Sequence, residues 1–153
     1  MICEQSRNRL ALALRRYVAG RISNDELAEI RVDWRDRGAV AVRQMAWGLY
    51  DDSRRHYARD KYAIGRDGKR IVARWIVFLH SDREYLWPDY SLVQINNWPL
   101  NVLTFGWWQR RKSVRREEFK LAGDFTAWPF IAMAELDKTA QRPRYLAGHP
   151  RIR

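Results

Sequence analysis

The chain has one cysteine, Cys3, in 153 residues. A lone thiol excludes an internal disulfide framework and any zinc site built on cysteines, and it fits a reducing cytosol. Lysine is scarce too, with 24 of the 29 basic residues being arginine. Met1-Ile2-Cys3-Glu4-Gln5 offers neither a basic n-region nor an apolar h-region, so no secretory signal is expected. The short catalytic signatures are missing as well. There is no Gly-x-Gly-x-x-Gly, Walker loop, Cys-x-x-Cys, His-Glu-x-x-His or Gly-x-Ser-x-Gly, so no cofactor is implied. From Tyr90 to Gln109 there is no charged residue, and 20 residues would suffice to span a bilayer. Gln94, Asn96, Asn97, Asn101 and Pro99 within it argue against a spanning helix, because each buried amide would need a partner.

What is present is aromatic and basic. A hydrophobic share of 46% with eight Trp, seven Tyr and five Phe supplies a core for one domain and argues against disorder. The formal net charge is +11, and it is unevenly placed. Arg110, Arg111, Lys112, Arg115, Arg116 and Lys120, less Glu117 and Glu118, carry +4. Arg142, Arg144, Arg151 and Arg153 carry another +4, and the remainder of the chain +3. A polyanion should meet those two segments first. Arginine suits bidentate grip on phosphate or carboxylate and stacking on rings. The plain alternative is a coding bias toward arginine, since these residues occur throughout.

The expected fold is mainly α, a single compact domain of five to six helices over residues 1–142, with a basic, loosely ordered tail at 143–153. Its centre is the run Ile71–Leu79, in which seven of nine residues are large and apolar. A buried strand is conceivable there, but Asp67-Gly68 reads as a turn and Ala73 and Arg74 favour a helix over about 69–81. Val72, Trp75, Ile76 and Leu79 then share one face. Upstream, Leu10, Leu14 and Val18 form the stripe of a helix from Glu4 to Val18, closed by Gly20. Ser23-Asn24-Asp25-Glu26 has the pattern of a capping box, with Ile22 and Leu27 at the flanking apolar positions. A third helix is expected from Ala39 to Tyr57, burying Val42, Met45, Ala46, Leu49, Tyr50 and Ser53, with a loop from Arg59 to Gly68. Further helices are expected from Pro99 to Leu121 and from Pro129 to Gln141. Trp-Pro pairs at 87–88, 98–99 and 128–129 should start helices while pinning each connection to the core by an indole.

Four segments together resemble a family of small, uncharacterised bacterial proteins. They are Gly20-Arg21-Ile22-Ser23-Asn24-Asp25-Glu26, Leu49-Tyr50-Asp51-Asp52, the stretch Phe78 to Pro88, and the stretch Phe119 to Phe130. The resemblance implies a self-contained bacterial domain and brings no activity with it.

Two groups of residues could carry function. Trp107, Trp108, Arg110, Arg111, Lys112, Arg115, Arg116 and Lys120 join indoles to a cationic run. That combination suits nucleic acid, with guanidinium on phosphate and indole on base. An acidic protein or an anionic bilayer surface would suit it as well. In the plainer structural alternative Trp107, Val114 and Leu121 face the core and the arginines are merely solvated. The second group is Asp51, Asp52, Asp82, Glu84 and Asp124 with His56 and His80. Converging in one cleft, Asp51 or Asp52 with Asp82 and Asp124 could hold a divalent metal and activate water, as in a metal-dependent hydrolase. Otherwise these acids cap helices and pair with arginine. His80-Ser81-Asp82 has the letters of a triad, but adjacent residues point apart. The leading expectation is a cytoplasmic, non-enzymatic module contacting a polyanion or acidic protein. Its main alternative is a protein-interaction or neutralising protein of the toxin- or phage-related kind.

Overall fold

The computed structural model describes residues 1–51, 53–88 and 121–141. Helix α1 (Glu4–Val18) buries Leu10, Ala11, Leu14 and Tyr17 along the stripe laid out by its sequence. Burying each of the larger side chains is worth about 1.5–3 kcal/mol. Gly20 ends the helix at φ +64, with its N–H bonded to the Tyr17 carbonyl and the Arg21 N–H to that of Arg16. Those two bonds satisfy carbonyls that the helix end would otherwise orphan. Helix α2 (Asn24–Ala28) opens with both halves of the capping box. The Ser23 hydroxyl accepts from the Glu26 N–H at 3.3 Å, and the Glu26 carboxylate accepts from the Ser23 N–H at 2.8 Å. These bonds, the backbone one foremost, hold the Glu26 carboxyl below its usual range.

Helix α3 (Arg37–Ala46) is shorter than expected. It starts at the Asp36 cap rather than at Ala39, and past Ala46 it tightens into a 3-10 turn over Trp47–Leu49. Tyr50 is already extended, and Ser53 is exposed rather than buried. Gly48 weakens the helix at that point. The decisive cause is downstream, where the Asp51 and Arg54 carbonyls accept from the Asn24 side chain and so leave the helical ladder. The expected loop from Arg59 to Gly68 holds a 3-10 turn at Asp60–Tyr62, and its last three residues belong to helix α4 (Arg66–Leu79).

Helix α4 buries Val72, Trp75, Ile76 and Leu79 as the spacing predicts, together with Phe78. It is not apolar all round, since Ile71 is 40% exposed and Ala73 is exposed too. It packs against α1, α3 and α5 (Met133–Gln141). The last helix starts later than Pro129 because the carbonyls before it are used across the core. Phe130 O accepts from the Trp87 indole at 3.1 Å, and Ile131 O from the Asp124 N–H at 2.9 Å. A 3-10 turn at Phe125–Ala127 and a cis Trp128–Pro129 peptide precede it. Two Trp-Pro pairs pin their connections to the core as expected, although Trp128-Pro129 does not start the helix, which begins only at Met133. Trp87 is fully buried, and Trp128 lies edge-on to Trp75 at 5.7 Å and to Tyr85 at 6.3 Å. Trp98-Pro99, nearly all of the expected helix from Pro99 to Leu121, and the tail lie outside the described residues. Leu121 itself is 83% exposed rather than seated on the core.

One polar contact sits inside this core. The Arg7 guanidinium grips Asp36 with two bonds, Nε to Oδ2 at 2.7 Å and Nη2 to Oδ1 at 3.0 Å. Its Nη1 donates to the carbonyls of Ser81 at 3.0 Å and Arg83 at 2.9 Å, just past α4. Asp36 also accepts from the Cys3 N–H at 2.9 Å and the Ala39 N–H at 3.1 Å. The two side chains are 2% and 1% exposed. Gly38 makes room for them, because a β-carbon there would stand 2.7 Å from the Phe78 ring and 3.0 Å from Arg7 Nη2. Burial opposes ionisation of Asp36, but Arg7 and the two N–H groups outweigh it, and the carboxyl stays below its usual range.

Replacing Ser23 with Ala should cost about 1 kcal/mol of stability in urea melts. Arg7→Met strands a buried carboxylate and should cost about 3–5 kcal/mol by the same measurement. Because the Asp36 pKa is lowered on folding, its stabilisation is complete above the ordinary carboxyl pKa near 4 and fades as pH falls below it. The acid limb of the stability profile should therefore flatten in Asp36→Asn.

Candidate functional site

The indoles and cationic residues singled out from the sequence, Trp107, Trp108, Arg110, Arg111, Lys112, Arg115, Arg116 and Lys120, lie outside the described residues, as does Asp52. The acids that are described do not converge. Among the described residues no group of three or more His, Cys, Asp or Glu side chains is placed to hold a metal ion. Asp51 Oδ1 accepts from the Ser53 N–H at 2.8 Å, and Asp124 Oδ1 from the Thr126 N–H at 2.9 Å. Both carboxyls lie below their usual range for that reason, Asp51 mainly through the Ser53 N–H and Asp124 through the Thr126 hydroxyl. Asp51 and Asp124 therefore shape turns. The triad letters fare no better, because the Ser81 hydroxyl donates back to the Phe78 carbonyl at 2.7 Å, on the end of α4.

Several arginines have a structural use that composition alone does not reveal. Arg43 donates to the carbonyls of Ile30 at 2.8 Å and Ala28 at 3.0 Å, closing the end of α2. Arg37 reaches the Trp87 carbonyl at 3.0 Å, and Arg74 donates to that of Thr126. Arg83 faces Glu135 at 3.5 Å. A guanidinium with five donors on a long stem can satisfy carbonyls where the chain leaves regular structure. Part of the arginine excess is thus spent inside the fold.

The most developed polar constellation in the described residues lies on the loop between α3 and α4. Asn24, 1% exposed in the first turn of α2, anchors it. Its Nδ2 donates to Asp51 O at 3.0 Å and Arg54 O at 3.1 Å, and its Oδ1 accepts from the His56 N–H at 2.8 Å. The Asn24 N–H donates to His56 O at 3.0 Å, and a bridge pairs Ser23 with Tyr57. His56 is thereby fixed at 7% exposure, with Nδ1 3.0 Å from Arg54 O and Nε2 3.4 Å from the Tyr17 hydroxyl. Its ring stacks on Tyr62 at 4.1 Å. Burial, with Tyr50 nearby, pushes the Tyr17 hydroxyl up to about 12, so it remains a neutral donor throughout the physiological range.

Cations stand over rings on the same loop, Arg59 5.7 Å from the Tyr57 centroid and Lys61 4.9 Å from that of Tyr62. Between them Asp60 is held at φ 50, a left-handed conformation that costs a non-glycine residue about 1–3 kcal/mol. A cavity of about 400 Å³ opens beside this loop, lined by Tyr50, Asp51, His56, Lys61, Tyr62 and Ile64 among others. Of these residues the sequence marks only Asp51 and His56 as functional candidates, Asp51 as a metal ligand and His56 beside the acids, while Tyr50 is expected as a buried helix position. In the sequence Asn24 shows only its place in a capping box, and Lys61 and Tyr62 fall in an expected loop. The available signal was a Tyr-Asp-Asp segment and a Lys-Tyr pair on either side of a lone histidine.

Asn24→Ala removes three side-chain bonds and should cost about 2–4 kcal/mol, taking roughly 1 kcal/mol for each bond. Backbone amides from 51 to 62 should then exchange with solvent faster than those of α4, which hydrogen–deuterium exchange would read. No family model matches the chain, and no curated protein or solved structure does.

Proposed function

We propose that the chain is a non-enzymatic binding module that contacts a polyanion, nucleic acid first, through the cationic run Arg110–Lys120 and the indoles Trp107 and Trp108 ahead of it. One observation carries this reading. The charge is +11, and two segments that make up a minority of the chain account for +8 of it, while the remainder carries +3. Arg7, Arg37, Arg43, Arg74 and Arg83 are engaged inside the fold by carboxylates or carbonyls, so internal structure already explains many arginines elsewhere. The surplus in the cationic segments calls for a different explanation. Nucleic acid is favoured over an acidic protein or a membrane surface because indoles next to guanidiniums match stacked bases next to phosphates. A metal-dependent hydrolase is disfavoured, since Asp51 and Asp124 are turned onto their own backbone.

A second reading has one observation in its favour. Trp34 is 77% exposed, with the Arg35 guanidinium 5.3 Å from its ring centroid, and Trp47 is 48% exposed. Exposed indoles of this kind anchor protein partners. An interaction or neutralising role would use them, and capture of its partner would survive high salt and fail in Trp34→Ala.

Binding to a DNA or RNA oligonucleotide should weaken steeply with salt. The quadruple variant Arg110→Ala, Arg111→Ala, Arg115→Ala, Arg116→Ala should lower the log–log salt slope by roughly 3–4, at about 0.9 per lost phosphate contact. An unchanged slope in fluorescence anisotropy would sink the reading.

A further inference from the structure

The +3 assigned to the remainder of the chain is itself unevenly spread. Between Arg54 and Arg70 seven cations stand against two acids, Asp60 and Asp67, and give +5, so everything outside the three cationic stretches sums to −2. This third stretch lies within the described residues, and all seven of its cationic residues are exposed. It comprises the α3–α4 loop, tied down by Asn24, and the first turns of α4.

Arg66, Lys69 and Arg70 are three and four positions apart, on the side of α4 opposite Val72, Trp75, Ile76 and Leu79. At that spacing neighbouring cations have β-carbons about 5–6 Å apart. Lys61 and Gly68 line one depression, which brings the loop cation against the first turn of the helix. Internal pairing accounts for little of the charge. Arg55 meets Glu26 at 3.7 Å and Arg70 meets Asp67 at 3.7 Å, both in water, where such contacts hold weakly. Lys61, Arg66 and Lys69 make no ion pair among the described residues.

The rings nearby serve these cations and the core. Tyr62 is stacked by His56 and lies under Lys61, and Tyr57 lies under Arg59. What the surface offers a ligand is therefore positive charge on a fixed backbone. A bilayer surface would also take up an apolar helix face, and that of α4 is committed to the core. The better match is a phosphodiester backbone, which carries one charge for about every 3.4 Å of strand.

We propose that Arg54–Arg70 forms a second surface for nucleic acid, holding the phosphate backbone through Lys61, Arg66 and Lys69 without reading bases. The class of ligand rests on the polyanion reading above, whereas the surface is built from different residues.

The full-length protein is titrated by fluorescence anisotropy with two duplex DNAs of unlike sequence, which hide their bases and show their phosphates. The variant Lys61→Ala, Arg66→Ala, Lys69→Ala should lower the log–log salt slope by roughly 2–3, at about 0.9 per lost phosphate contact, and equally for both duplexes. The charge-preserving variant Lys61→Arg, Arg66→Lys, Lys69→Arg should keep the wild-type slope. An unchanged urea midpoint will show that the alanine variant is folded. The proposal is overturned if the alanine variant keeps the wild-type slope or if only one duplex is affected. Binding of phosphatidylserine vesicles or polyglutamate without binding of either duplex overturns it as well. If the alanine variant lowers the slope and the quadruple arginine variant does not, this surface stands and the cationic-run reading falls. The reverse result removes this surface and leaves that reading intact.

Discussion

The fold depends on a charge pair that by itself has no obvious reason to be buried. Arg7 and Asp36 are withdrawn from water, and an ion so placed loses several kcal/mol of hydration. What makes the arrangement tolerable is full satisfaction. Every face of the pair meets a partner: the carboxylate takes two backbone N–H groups, the guanidinium takes two carbonyls, and its plane lies 4.9 Å from the centre of the Phe78 ring. The contact joins the start of α1, the cap of α3 and the exit of α4 at a single point. A hydrophobic pair of equal volume could fill the space, but it could not dictate which three chain ends meet there. Gly38 is small for the same reason, because a β-carbon there would press on the Phe78 ring of α4 and on the Arg7 guanidinium.

From that junction the core divides into two regions. On one side, the rings of Phe78, Tyr85, Trp128 and Phe130 meet edge to face, Trp87 lies edge-on to Phe125, and together they close the end of α4 against the segment that precedes α5. On the other, α1 and α2 hold the α3–α4 loop through Tyr17 and Asn24. Four stretches of the sequence fall into the same two pairs in their described residues. Gly20–Glu26 meets Leu49–Asp51 through the Asn24 side chain, and the stretch through Trp87 meets the stretch through Phe130 by the indole bond to the Phe130 carbonyl. The pairing gives those segments a structural reason for their composition that is independent of any activity.

Arginine serves two purposes in this chain. Inside the fold it acts as a fork that ends helices and closes loops, as Arg43 does on α2. Lysine could not replace it there, since a single ammonium cannot reach two divergent carbonyls with the same rigidity. The loop cations are different. Arg59 and Lys61 lie over rings on an irregular but firmly anchored segment, where side chains are held in place without being buried. A rigid loop with exposed cations and a cavity at its side is the kind of element on which binding residues are usually found.

Local rules determined the helical class, the Ser23–Glu26 box, the Gly20 terminus, the buried face of α4 and the inward indoles of Trp87 and Trp128. Each depends on residues a few positions apart, so the sequence displays its cause directly. The partnership of Arg7 with Asp36, 29 positions away, left no such trace, because either residue alone reads as a surface charge. The early end of α3 was equally hidden, since it follows from Asn24 claiming the carbonyls of Asp51 and Arg54 from 27 and 30 positions back. For the same reason the grouping of His56 with Tyr17, Tyr50 and Tyr62 belongs to tertiary structure alone. Spacing along the chain decides which face a side chain takes, and only packing decides what that face meets.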